Sequence, residues 1–239
     1  MHTTMFFRKQ EEGLQIFVKG WELYRKIIAH NYMNHREIIT TLTSLTRSSV
    51  GKPAVLEVGS GDAYAMSQTF AGTRELSYTA IDMSEHALKY ARQNLTNSRW
   101  KLDLRVGNMF DIVQELDTTF DIILAGYSLH HFGSDRKAIL LKRFRPLLNP
   151  NGMLIVYDIF KREDESREDY LERVLAHCRA HWTRMEEQQM KTIHEHVREN
   201  DYPESIESLR AIANNCGFRN VERRYRDPDN LYAALAIRP

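Results

Sequence analysis

Hydrophobic positions follow one period before Pro53 and a different one after it. From Leu14 to Leu45 they recur every three or four residues, which predicts amphipathic helices. The interval "AHNYMNHRE" predicts a break between two helices, and "TRSSVGKP" ends the second, because Ser, Gly and Pro together mark a connection. We therefore predict a helical cap over residues 1–50.

After Pro53, apolar runs of strand length alternate with helical segments. The runs are "AVLEV", "LSYTAID", "LDLRVGN", "FDIILAG" and "GMLIVYDIF". This alternation predicts βαβ units around a parallel sheet. Further along, the pattern predicts a turn at "NPNG", one long charged helix from "KREDESREDY" to "MEEQQM", a helix over 205–216, and an antiparallel pair, "FRNVERRY" and "LYAALAIR".

The composition of the chain argues against several classes of protein, among them those that bind nucleic acid or membranes through a large net charge. The 239 residues carry 33 Lys plus Arg against 32 Asp plus Glu, a formal charge of +1, so no global field favours nucleic acid or an anionic membrane. Cys178 and Cys216 show no disulfide or zinc spacing, and we expect buried, reduced thiols. No run of about 18 apolar residues and no leader pattern occurs, which predicts a cytoplasmic protein without membrane partners.

The turn after the first strand, "EVGSGDAY", predicts a ligand site. Gly59 and Gly61 allow a ligand to approach the backbone closely, and the following helix directs its free N–H groups there. A dinucleotide fingerprint needs a third small residue where Tyr64 stands, and Glu57 and Asp62 would repel a pyrophosphate. The turn therefore favours a cationic, phosphate-free nucleoside over NAD.

The next two strand ends support a nucleoside. Asp82 lies about 20 residues past the glycines, where a carboxylate can accept the hydroxyls of a ribose. Asn108 and Phe110 follow the third strand, where an amide can pair with an adenine edge and an apolar ring can pack on it.

Five segments carry a resemblance to a known family: "VLEVGSGDA", "AIDMS", "GNMFD", "FDIILAGYSLHHF" and "LLNPNGMLIVYDIF". In their order and spacing they resemble the class I methyltransferases that use S-adenosylmethionine, in the branch acting on small molecules. The resemblance spans roughly residues 53–160 and departs at Ala63, where many members carry a third glycine. It implies a Rossmann-like, doubly wound, seven-stranded and mostly parallel sheet with an antiparallel last strand, in a domain over residues 51–239. The resemblance also implies which residues bind the cofactor. The methionine end would face Glu57, Gly59, Ser60, Gly61 and Asp62. The ribose would face Asp82 and Met83, and the adenine would face Asn108, Met109 and Phe110. Gly126 at the end of the fourth strand completes this cofactor set.

The segment "AGYSLHHF" places Tyr127, His130 and His131 at the sheet edge where a methyl group would be attacked. A histidine is the usual base when a nucleophile must lose a proton. We predict His130, Tyr127 and Asp158 as catalytic residues and His131 as a substrate contact. Packing of the "LHH" element, or a salt bridge of Asp158, is the alternative.

The cap and one later segment complete the predicted site. Tyr32 and Arg36 are our candidates for the methionine carboxylate, with plain packing as the alternative. Residues 184–203 are interpreted as an insertion, either a substrate lid with His194, His196 and Tyr202 or a solvated loop. His194 and His196, with Asp201 five positions further on, are candidate metal ligands. No metal site is predicted, because residues two apart on a helix face different directions and no third strong ligand is close in sequence.

We interpret the chain as an enzyme that moves the methyl group of S-adenosylmethionine to an oxygen, nitrogen or sulfur atom of a small molecule. A protein or tRNA substrate and a non-catalytic, cofactor-binding scaffold are the alternatives. The aromatic N-terminal helices are equally compatible with a homodimer interface.

Overall fold

The computed structural model describes residues 20–47, 51–73, 75–96 and 98–239. In these residues the strands are β1 Ala54–Val58, β2 Ser77–Asp82, β3 Lys101–Val106, β4 Phe120–Gly126, β5 Leu148–Ile159, β6 Asn220–Arg226 and β7 Tyr232–Arg238. The helices are α1 Trp21–Ala29, α2 His35–Thr46, α3 Tyr64–Thr69, α4 Glu85–Asn94, α5 Met109–Ile112, α6 Ser134–Leu147, α7 Arg167–His181, α8 Glu187–Asn200 and α9 Ile206–Asn215. Predictions for 1–19 and 48–50 lie outside the described residues.

The seven strands form one sheet in the order β3-β2-β1-β4-β5-β7-β6. Strands β1 to β5 are parallel, and β7 is antiparallel to both β5 and β6. This confirms the predicted sheet with its antiparallel last strand. The strand order reverses between β1 and β4, so the two chain halves leave a crevice at the carboxyl ends of these strands, where open α/β sheets bind ligands.

Alternating residues of the central strands enter opposite layers of the core. Val55 packs in the layer that contains α2, α4 and α7, whereas its neighbour Leu56 packs in the layer of α6 and α9. Ile122 and Ile123 divide in the same way on β4. Both faces of these strands are covered, which is the physical reason for their continuous apolar runs.

The two N-terminal helices meet at a tight turn and pack onto the sheet. Asn31 and Asn34 adopt positive φ angles of 56° and 55°, a conformation that asparagine tolerates better than most residues. The Asn34 amide donates a hydrogen bond of 3.0 Å to the Tyr225 hydroxyl on β6. The buried side chains of Ile38 and Leu42 join α2 to the core.

Two details of the predicted secondary structure were wrong. The long charged helix is instead two helices, α7 and α8, because Trp182 leaves the helical conformation and stacks on Tyr32, with ring centroids 5.0 Å apart. The segment 184–203 is consequently mostly helical. The "NPNG" turn is a bulged start of β5, where the pairing with β4 shifts register.

Among the described helices, none combines the length and the apolar character needed to cross a bilayer.

Candidate functional site

A cavity of about 470 Å³ opens at the carboxyl ends of β1 to β4. Its volume is in the range that holds a ligand of cofactor size, roughly 300–1,000 Å³. The residues of the predicted cofactor set that line it are Gly59, Ser60, Gly61, Asp62, Asp82, Met83, Asn108, Met109, Phe110 and Gly126. The fold thus brings together side chains from four strand ends.

The glycine loop of this cavity is held by Asp82. One carboxylate oxygen accepts from the Gly61 N–H and the other from the Ser84 N–H, both at 2.8 Å. Asp62 accepts from the Tyr64 N–H at the start of α3. Burial raises the pKa of both carboxyl groups. The cavity wall therefore carries two acidic groups, which suit a sulfonium or ammonium group better than a phosphate.

The predicted adenine end is built on a short helix. The Asn108 side chain accepts from the Phe110 N–H at 2.9 Å and caps α5. The Phe110 ring packs edge-on against Phe132, and the Arg136 guanidinium lies 4.1 Å from its centroid. Arg143 donates to the Phe110 carbonyl at 2.5 Å, which fixes this corner from α6.

Three predicted cofactor residues do not line the cavity. Glu57 is buried behind it and accepts hydrogen bonds from the hydroxyls of Tyr78 and Tyr157, and burial raises its pKa to about 8. Tyr32 stacks on Trp182 and accepts from the Arg184 N–H. Arg36 is exposed on the first turn of α2.

Other residues of the cap stand where Tyr32 and Arg36 were expected. Trp21, Tyr24 and Ile28 recur at helical spacing on α1 and line the cavity, as does His35. The turn between the helices directs this face of α1, and not the Tyr32 or Arg36 side chain, toward the glycine loop. Their helical spacing was visible in the sequence, but it is equally typical of core packing.

A second, smaller cavity of about 90 Å³ adjoins the first. Tyr24 and Tyr127 line both cavities. The walls of the second cavity are mainly apolar. Its lining includes Leu23, Ile27, Met33, Ile159, Trp182, Ile193, Val197, His130, His196 and Asp201.

His130 lies against a carboxylate at the end of β5. Its Nδ1 lies 2.5 Å from Asp158 Oδ1, and its backbone N–H donates to Asp158 Oδ2 at 3.1 Å. The Tyr202 N–H donates to the His130 carbonyl at 2.7 Å. Burial lowers the pKa of His130, but Asp158 and Asp201 outweigh it and raise the pKa above its ordinary value.

Three imidazoles surround Asp201, which the sequence analysis weighed as a metal ligand only beside His194 and His196 and did not include in the predicted site. Its Oδ1 lies 3.7 Å from His130 Nε2, 3.8 Å from His131 Nδ1 and 3.8 Å from His196 Nε2. Burial raises the pKa of Asp201 to about 7, lowers that of His196 to about 3 and lowers that of His131 well below its usual range.

The remaining predicted site residues have different positions. The Tyr127 hydroxyl donates to the Met33 carbonyl, and His131 lines the first cavity. His194 and Tyr202 line neither cavity. On α8, His196 lines the second cavity, whereas His194, two positions earlier, does not. The Tyr202 ring lies under the Arg167 guanidinium.

Comparisons with known proteins agree with this architecture. Residues 56–154 match the family described as Methyltransferase domain, whereas no curated protein matches the sequence. Among solved structures, DhpI in complex with SAH aligns with a TM-score of 0.65, 17% identity and 96% of each chain covered. An O-methyltransferase family protein from Burkholderia thailandensis aligns with a TM-score of 0.62 and 13% identity, and the alignment covers 85% of this chain and 55% of that protein.

Human N-acetylserotonin methyltransferase, in complex with SAM, aligns at a TM-score of 0.57 and 16% identity, over 99% of this chain and 58% of its own. The chain spans 54 to 57% of the length of four of the matched structures. At these identities the structural likeness concerns the fold. Residues 56–154 therefore match a methyltransferase domain, and the strand order and the glycine loop of this chain agree with that match.

Proposed function

We propose that the protein methylates an oxygen, nitrogen or sulfur atom of a small molecule held in the second cavity. The observation that carries the proposal is the shared wall of the two cavities. Tyr24 and Tyr127 line both, so a ligand in the first cavity and one in the second would meet at these rings. The small volume and apolar walls of the second cavity favour a compact acceptor over a protein or tRNA.

The residues of the first cavity fit S-adenosylmethionine, which when bound supplies an electrophilic methyl group. The Asp62 carboxylate provides negative charge for a sulfonium or an ammonium group, and we assign the Asp82 carboxylate to the ribose hydroxyls, as the sequence predicts. Phe110 and Met109 provide apolar surface for a purine. Trp21 and Tyr24 cover the opening from α1 and exclude water from the site.

The proposed role of His130 is to take the proton of the acceptor. In the reaction, the acceptor atom forms a bond to the methyl carbon, the bond from that carbon to sulfur breaks, and the acceptor proton leaves. Asp158 holds the His130 ring by Nδ1, which leaves the lone pair of Nε2 for that proton. Asp158 is thus a positioning residue, and Tyr127 contributes a wall instead of a base, because burial raises its pKa well above the usual value.

Calorimetric titration with S-adenosylmethionine, S-adenosylhomocysteine and NAD tests the cofactor. We expect binding of the two adenosyl ligands and not of NAD, with affinity lowered at least tenfold by Asp82→Ala. Asp103→Ala is the matched control, because Asp103 lies on the neighbouring parallel strand β3 but pairs with Arg105 and does not line the cavity. Binding of NAD alone, or an equal loss in both variants, contradicts the proposal.

A screen of phenols, carboxylic acids, amines and thiols, read by mass spectrometry for added methyl groups, then tests the acceptor. His130→Gln should lower kcat for an acceptor that must lose a proton by about 10²–10⁴ and leave cofactor affinity within about twofold. Methylation of protein or tRNA with none of the small molecules would favour the macromolecular alternative. Cofactor binding without any turnover would favour the scaffold. Cytoplasmic location, absence of nucleic-acid partners and homodimer formation stay predictions.

A further inference from the structure

Three atoms that commonly bind metal ions converge between the two cavities. They are His130 Nε2, His131 Nδ1 and Asp201 Oδ1, all within 4.8 Å of one another. The two nitrogen to oxygen distances, 3.7 and 3.8 Å, exceed the 2.7–3.2 Å of an N–H···O hydrogen bond. The two histidine nitrogens therefore lie close to the carboxylate oxygen without a hydrogen bond to it.

The proton of His130 lies on the opposite side of its ring. Because Nδ1 lies 2.5 Å from the Asp158 carboxylate, the neutral imidazole carries its hydrogen there. Nε2 then directs a lone pair toward Asp201 Oδ1. Two electron-rich atoms facing each other in a buried site need a positive charge between them, either a proton or a metal ion.

Asp201 is fixed in place through its backbone. Its N–H donates to the Val197 carbonyl at 3.2 Å, and its carbonyl accepts from Arg167 Nε at 2.7 Å. That guanidinium is thus engaged with the main chain and not with the carboxylate. The Asp201 side chain is only 7% exposed, and within the described part of the chain its Oδ1 has no hydrogen-bond partner.

We propose that His130, His131 and Asp201 bind one divalent transition-metal ion of the zinc type. Ligating histidines usually donate their other N–H to a carboxylate or a backbone carbonyl. Asp158 serves His130 in this way, and the Asn200 backbone serves His131. A tetrahedral ion with bonds of about 2.1 Å places its ligand atoms roughly 3.4 Å apart. The two nitrogen to oxygen distances, 3.7 and 3.8 Å, therefore need to shorten by only a few tenths of an ångström, and the three atoms already lie within 4.8 Å of one another.

Two imidazoles and one carboxylate suit zinc, cobalt, nickel or ferrous iron better than magnesium or calcium. Three protein ligands also leave a coordination position open, as in catalytic zinc sites. His196, at 3.8 Å from the same carboxylate oxygen, stands beside that position.

The ion would lie between cofactor and acceptor, because His131 lines the first cavity and His130 and Asp201 line the second. There it would lower the pKa of an acceptor hydroxyl, and the His130 lone pair would be engaged as a ligand. In the metal-free protein that lone pair takes the proton directly. The proposal goes beyond the proposed function and does not depend on it, since metal binding requires neither cofactor nor acceptor.

The test titrates chelator-treated protein with Co²⁺, followed by visible absorption, and with Zn²⁺, followed by calorimetry. We expect one ion per chain, cobalt bands of a four- or five-coordinate site, and a Kd in the micromolar range or below. His131→Gln and Asp201→Asn should each weaken Zn²⁺ binding at least about 100-fold. Circular dichroism confirms that each variant is folded.

Two matched controls use other histidines. His194→Gln changes the same helix as His196 but lies away from the cluster, and it should leave the affinity within about twofold. His181→Gln removes one ring of the His177 and His181 pair on α7, whose centroids are 4.5 Å apart. Loss of the cobalt signal in His181→Gln would assign the ion to that pair and overturn the proposal. So would wild-type protein that binds no Co²⁺, a result that requires no variant.

Discussion

The indole of Trp21 lies directly on Gly61, so that a β-carbon at Gly61 would be 2.3 Å from the ring atom Cη2. The helical cap therefore rests on the loop that forms the cofactor cavity. Gly61 also has a φ of +55°, which disfavours other residues. The contact joins the two parts of the chain at the point where cofactor would bind.

Gly61→Ala should lower affinity for S-adenosylhomocysteine at least tenfold and destabilise the fold by about 1–3 kcal/mol. The added methyl group must displace Trp21 or the loop. Calorimetry and urea unfolding measure the two effects. Gly72→Ala is the control, because Gly72 has a φ of +83° with nothing within 4 Å of an added β-carbon. Equal losses of affinity in the two variants would show that backbone strain, and not the Trp21 contact, is responsible.

Glu57 should make stability depend on pH. Its pKa is raised from 4.5 to about 8 by burial, so the folded protein holds a proton that the unfolded chain releases. The unfolding free energy due to this group therefore falls as pH rises from about 4.5 to about 8. Glu57→Gln should gain stability relative to wild type across this window, by on the order of 2–4 kcal/mol.

Urea unfolding of wild type and Glu57→Gln at several pH values measures the difference between their free energies of unfolding. The contributions of all other titrating groups cancel in this difference. Glu75→Gln is the control, because Glu75 is an exposed residue paired with Lys52. The unfolding free energy of Glu75→Gln should change with pH in the same way as that of wild type. A parallel course for Glu57→Gln would contradict the raised pKa.

Asp227 should stabilise the turn between β6 and β7. Its Oδ1 accepts from the backbone N–H groups of Leu231 and Tyr232 at 2.7 and 2.6 Å, and its Oδ2 from that of Asp229 at 3.1 Å. Asp227→Ala leaves buried donors unpaired and should cost about 2–4 kcal/mol in urea unfolding. Asp229→Ala, which changes an exposed carboxylate of the same turn, should cost less than about 0.5 kcal/mol.

Ile193 should control acceptor binding without affecting the cofactor. It lines the second cavity and not the first. Ile193→Trp should fill that cavity and raise KM for an acceptor found in the screen at least tenfold, with S-adenosylhomocysteine affinity within about twofold. Ile193→Val should leave both nearly unchanged. A loss of cofactor affinity that matches the rise in KM would place the acceptor elsewhere.

Local sequence determined the sheet and the floor of the cofactor cavity. Each strand is visible as a local apolar run, and the glycine turn and Asp82 lie directly at the ends of β1 and β2. Parallel strands bring their carboxyl ends to one edge of the sheet. Hydrophobic period and turn chemistry therefore suffice to predict Gly59, Gly61, Asp82 and Asn108 as neighbours.

Tertiary structure alone decided what faces that floor. Asp201 is 71 positions beyond His130, and only the break between α7 and α8 lets the end of α8 return to the "LHH" turn. The cap was predicted, yet its rotation about its own axis was not, and Trp21 rather than Tyr32 or Arg36 meets the cavity. Helical periodicity identifies an apolar face but not the surface it covers, because that choice depends on packing against residues distant in sequence.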